Sequence, residues 1–216
     1  MTDKIDKLLA EAESKQIQDL KKDNLRLLKQ LDKAKNKKED MINAVYDAVN
    51  INLKLWDKPK IPKPKNIKKS KDEEIAIAIL SDIQLAKVTP DYNTEVAEER
   101  VIKYANKIVD LANIQRQVHS VNKCAVFAAG DIIEGELIFP GQSHLIDSSL
   151  YKQVTVDGPR IMTQFFDILL ANFDEVDVHW VIGNHGHLGG RSRKDYHPDS
   201  NADRMLGSIM SMIYRD

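Results

Sequence analysis

The sequence predicts an α/β fold with a parallel sheet, joined to a long helical segment at its N-terminal side. Three observations carry this. Three apolar runs alternate with amphipathic helical stretches between residues 74 and 216. Residues 3–49 contain neither Pro nor Gly and repeat apolar side chains at heptad spacing. A Pro/Lys-rich stretch divides the two. The expected boundaries are a coiled-coil helix over 1–52, a linker over 53–73 and an α/β domain over 74–216.

The N-terminal helix carries Ile17, Leu20, Leu27, Leu31, Ala34, Met41, Val45 and Ala48 on one stripe. Asn24 and Lys38 fall on the same stripe, where polar residues weaken a coiled coil but fix its register and partner number. A lone amphipathic helix needs something to bury against. Self-association is the first expectation; a partner protein, or packing on the chain's own domain, is the other. The linker from Lys58 to Lys71 holds three prolines and seven lysines with no acid. It reads as an extended, solvated spacer, or as a site of phosphate-backbone attraction.

From Glu74 the texture changes. Ile75–Leu80 is a continuous apolar run, as expected of a strand covered on both faces. A helix follows over Thr94–His119, with Thr94 as its cap. Cys124–Ala129 is the second strand, Pro159–Phe173 the second helix, Val176–Ile182 the third strand and Asn201–Tyr214 the last helix. The net charge of −1, with 30% charged residues, points to no particular partner. One cysteine, Cys124, excludes an internal disulfide and reads as a buried thiol. No apolar run reaches the length of a membrane span and no signal-peptide core is present, so a soluble, cytoplasmic protein without membrane contact is expected.

Each strand ends in a polar tip. The first is Ser81-Asp82-Ile83-Gln84, the second Gly130-Asp131-Ile132-Ile133-Glu134, the third Gly183-Asn184-His185-Gly186-His187. In parallel sheets, sites form at the carboxyl ends of the strands. Hard oxygen and nitrogen ligands gathered there suit a divalent-metal site for phosphate-ester hydrolysis. Each residue also has a plainer reading. Asp82 and Asp131 suit caps, Asn184 a turn, Glu134 a surface acid, and His187 a solvated loop.

The order of the tips resembles the calcineurin-like metallophosphoesterase superfamily, in a form similar to phosphoesterase-like proteins of bacteriophage genomes. Its motifs run Asp-x-His, Gly-Asp-x-x-Asp/Glu and Gly-Asn-His-Asp/Glu/Gly, followed by an isolated His and a Gly-His-x-His. The resemblance implies an αβ sandwich holding two divalent ions, manganese first, with iron or zinc as alternatives. It implies that Asp82 and Gln84 ligate one ion, that Asn184 ligates the other, and that Asp131 bridges them. His185 would serve as general acid, oriented by Glu134, with His144 and His187 near the substrate. The implied activity is a DNA nuclease, in the host cytoplasm if phage-encoded. The alternative is an inactive or split half-domain acting as a coiled-coil scaffold. Two departures stand out. Gln84 replaces the family's His, and no histidine follows His197. The expectation is therefore the N-terminal half of the sandwich, with a complementing C-terminal chain as a possible partner.

Overall fold

A computed structural model describes residues 73–189, 196, 197 and 199–215, together with 22–24, 26, 27, 29 and 30. The latter seven are helical, and Leu27, on the apolar stripe, is exposed among them. The remainder of the expected coiled coil and the whole Pro/Lys linker lie outside the described residues.

The domain is of the α/β class. Strands β1 (Glu73–Leu80), β2 (Ser120–Ala129) and β3 (Glu175–Val181) form a parallel sheet in the order β1-β2-β3. Helix α1 (Thr94–Gln115) connects β1 to β2. Helix α2 (Gly158–Leu170) connects β2 to β3, and α3 (Ala202–Ile213) follows β3. Parallel neighbours need such crossovers, because a tight turn cannot reverse the chain twice.

The core lies between one sheet face and the helices. Ala78, Leu80, Cys124, Val126 and Ala128 are buried there, with Ala105 of α1, Phe165 of α2 and Leu206 of α3. Trp180 of β3 sits against α3 at Gly207, where an added Cβ would come 2.9 Å from the indole ring. Burial pushes the Cys124 thiol up to about 11.

Among the described residues the opposite sheet face is open, which corrects the expectation that β1 is covered on both sides. Ile75, Ile77 and Ile79 are 55%, 65% and 60% exposed. The cause lies in the alternation itself. Side chains in a strand point to opposite faces in turn. The small residues Ala76 and Ala78 therefore share the helix side, where α1 packs, while all three isoleucines share the other. On that outer face His179 stacks on Phe127 at 4.8 Å and pairs with Asp177 at 3.0 Å.

Element ends also differ in detail. Asn93, not Thr94, caps α1: its backbone is extended and its Oδ1 accepts from Val96 N–H at 2.9 Å. Thr94 is the first helical residue and donates from its N–H and hydroxyl to Asp147. Helix α1 stops at Gln115, not His119, because β2 begins as early as Ser120. Helix α2 ends at Leu170 and runs on from a short turn, Leu150–Lys152, and a π-helical turn, Gln153–Asp157.

Candidate active site

The tips of β1 and β2 are zipped together by backbone bonds. Asp82 N–H donates to Gly130 O at 3.2 Å, Gln84 N–H to Asp131 O at 2.9 Å, and Leu85 N–H to Ile132 O at 2.9 Å. Tip three joins through Asp131, whose Oδ1 accepts from His185 N–H at 2.7 Å. Asp82, Gln84, Asp131 and His185 thus belong to one hydrogen-bonded loop cluster at the carboxyl end of the sheet. Asn184 adjoins His185 and is exposed.

Three of these residues hold a left-handed backbone. The φ angles are 54° at Asp82, 49° at Gln84 and 53° at Asp131. Non-glycine residues seldom adopt this conformation, each instance costing on the order of 1–3 kcal/mol, and such residues cluster at functional sites. Two glycines allow the loops to approach. At Gly183 an added Cβ would lie 2.1 Å from Asp131 Oδ1. At Gly130, with φ of 89°, it would lie 2.8 Å from Gly183 Cα.

Behind His185 stands a buried carboxylate. His185 Nδ1 is 3.1 Å from Glu134 Oε2 and 3.3 Å from the Glu134 carbonyl. Glu134 is buried rather than a surface acid. Its Oε1 and its carbonyl both accept from Gln142 Nε2, at 2.9 and 3.0 Å. Gln142 is itself fully buried, and its Oε1 accepts from Ile138 N–H at 2.8 Å. This chain fixes the imidazole ring with Nδ1 inward.

Asp203, in the first turn of α3, ties tips two and three together. Its Oδ2 accepts from Asp131 N–H at 3.0 Å and Gly183 N–H at 2.9 Å, and its Oδ1 from Ile133 N–H at 3.1 Å. Burial pushes its carboxyl above the usual range, against the pull of the three N–H groups. Asn201 completes the tie: Oδ1 caps α3, and Nδ2 donates to Gly183 O at 2.9 Å. Neither Asp203, Asn201 nor Gln142 was singled out by the sequence reasoning. The available signal was Asn-x-Asp at the start of a helix, directly after the third tip.

The other expected residues sit differently. Gln84 Oε1 accepts from Lys87 Nζ, and Asp82 Oδ2 from the Ser81 hydroxyl. His144 is exposed in the short 3₁₀ turn Gln142–His144, and its ring makes no hydrogen bond or ion pair among the described residues. His187 bridges to Asn201 through the backbone, while its Nδ1 is buried without a hydrogen-bond partner.

For a metal, the described residues offer two carboxylates, Asp82 and Asp131, and two amide oxygens, Gln84 and Asn184. No three His, Cys, Asp or Glu side chains are grouped for metal binding among the described residues. The amide oxygens are outside that count. A hard-oxygen donor set of this kind fits a manganese- or magnesium-type cation better than a soft one. No helix among the described residues is long and apolar enough to cross a membrane. No family model matches the chain, and neither a curated protein nor a solved structure is significantly similar to it.

Proposed function

We propose that the chain is a metal-dependent phosphoesterase that hydrolyses phosphodiester bonds of DNA. The observation that carries this reading is the left-handed backbone at Asp82, Gln84 and Asp131, at the ends of adjacent parallel strands. Strain of this kind is kept only where the surroundings enforce it. Here the surroundings are the zipped loops and the Asp203 tie.

In this reading Asp82 and Gln84 would hold one divalent ion and Asn184 a second, with the Asp131 carboxylate contributing to the pair. Manganese is the expected ion, with iron or zinc as alternatives. Bound there, the ions supply Lewis acidity and offset charge at the phosphate. The protein's own part is the proton. Glu134 holds the His185 ring by Nδ1, with its Oε2 at 3.1 Å and its carbonyl at 3.3 Å, which leaves Nε2 as the nitrogen available for proton transfer. Nε2–H is then the proton delivered to the leaving oxygen, and solvent restores it afterwards.

The test is turnover of bis(p-nitrophenyl) phosphate and of labelled DNA with added manganese. Activity should vanish in Asp131→Asn and fall steeply in His185→Ala. A metal-free preparation that melts at the same temperature as the manganese-loaded one, and never turns over, sinks the reading.

A second reading has one observation in its favour. The open sheet face, with Ile75, Ile77 and Ile79 uncovered among the described residues, suits a chain that works beside another. That reading is a non-catalytic or split half-domain, dimerised through residues 1–52. Light scattering with and without residues 1–57 tests it, and an unchanged monomer mass refutes it.

A further inference from the structure

Beside the Asp82–Gln84 tip, between β1 and the start of α1, lies a cleft of about 540 Å³. Its size is that of a small-molecule site. We propose that this cleft is a subsite for the nucleotide adjacent to the scissile phosphate, with Arg100 and Lys87 holding that nucleotide's phosphate. The inference rests on the phosphodiesterase reading and names which part of a strand the site would grip.

The two cations carry the argument. Arg100 projects from the second turn of α1 and is exposed. Its guanidinium makes no hydrogen bond or ion pair among the described residues. It lies instead over the Tyr92 ring, 5.2 Å from the centroid. Lys87 Nζ meets only the neutral amide oxygen of Gln84. Both charges in the cleft are therefore free of a carboxylate partner among the described residues, although Asp82 and Asp91 also line it. Asp91 has its backbone N–H on Thr89 Oγ1 at 3.4 Å.

The geometry adds direction. The Tyr92 hydroxyl donates to the carbonyl of Ile83, the residue between Asp82 and Gln84. The Arg100–Tyr92 stack is thereby anchored to the catalytic tip itself. A guanidinium held over an aromatic ring by cation–π attraction keeps its N–H groups available for a phosphate. Tyr104, one turn further along α1, adds an aromatic side chain to the lining, one that also stacks on Phe165. Tyr104 is fixed there, its hydroxyl accepting from Ile79 N–H at 3.1 Å, on the outer edge of β1. A charged rim with an aromatic wall matches a single strand, whose backbone takes the cations and whose base takes the wall.

The experiment uses the full chain in EDTA, with fluorescence anisotropy of a labelled short oligothymidylate. Arg100→Ala and Lys87→Gln should each raise Kd by about five- to tenfold. Each should also make the plot of log Kd against log salt shallower by about 0.7, the contribution of one single-strand phosphate. Arg100→Lys should restore the salt slope but not the full affinity, since lysine cannot stack. With manganese present, the ratio of kcat/KM for the oligonucleotide to that for bis(p-nitrophenyl) phosphate should fall in the same order. Wild-type Kd and salt slope in both Arg100→Lys and Lys87→Gln overturn the proposal, even if Arg100→Ala fails to fold. Equal competition by inorganic phosphate and by thymidylate dinucleotide also overturns it, leaving a simple anion site. A chain that binds with these dependences yet never hydrolyses either substrate refutes the phosphodiesterase reading alone.

Discussion

Replacing Asp203 tests how the loop cluster is held. In Asp203→Ala, the N–H groups of Asp131, Ile133 and Gly183 lose their acceptor. An orphaned buried donor costs about 1–3 kcal/mol. Asp203 is fully buried, but the loops it holds are only part-buried, so water will reach some of the freed groups. The low end for each of three donors gives a loss of about 3–5 kcal/mol. Asp203→Asn keeps one oxygen. With that oxygen toward Asp131 and Gly183, only the Ile133 N–H faces an opposing NH2, and the cost is about 2 kcal/mol. Urea unfolding at constant m-value measures both numbers. Hydrogen exchange at Asp131, Ile133 and Gly183 locates the effect, since those amides should lose protection first. A loss under about 0.5 kcal/mol in the alanine variant, or unchanged protection at the three amides, refutes the reasoning.

Gly183→Ala should cost about 3 kcal/mol or prevent folding, because the new Cβ falls on Asp131; a thermal melt reads it. His185→Ala should lower kcat by about 10²–10⁴-fold, and Glu134→Gln by about 10–100-fold. Cys124 should resist thiol reagents at pH 8 until the chain unfolds. Its folded thiol titrates at about 11 against 9.0 for the free group. The unfolded chain ionises first, so stability is intact below the lower value and falls as pH rises toward the higher. The loss is on the order of 2 kcal/mol, and Cys124→Ala should make that slope shallower between about pH 9 and 11.

The α/β class and the alternation of elements were legible because apolar periodicity marks strands and helices directly. The positions of the tips followed, since a strand's end is where its apolar run stops. The open face was not legible: in Ile75–Leu80 both faces are apolar, and only residue size, alanine inward and isoleucine outward, distinguishes them. Taken alone, Glu134 suits a surface acid, yet it is buried against His185. Only the motif resemblance, not the residue itself, points to its partner 51 positions away. Gln142, Asn201 and Asp203 escaped for the same reason, because lone polar residues in polar loops or helix starts read as solvated.

The π-helical turn Gln153–Asp157 makes the length of the chain after Glu134 matter. A turn of this kind is one residue longer than the α-helical turn it replaces. It is what brings Gln153, fully buried, to accept from Gly135 N–H at 3.0 Å and donate to Ser148 O at 2.8 Å. Deleting one residue between 153 and 157 would let the turn relax to ordinary helix and swing everything before it by about 100° around the axis of α2. Gly135 would lose its peg, and Glu134 beside it would leave the imidazole. Within 153–157 the number of residues is therefore as much a part of the site as the buried Gln153 side chain itself.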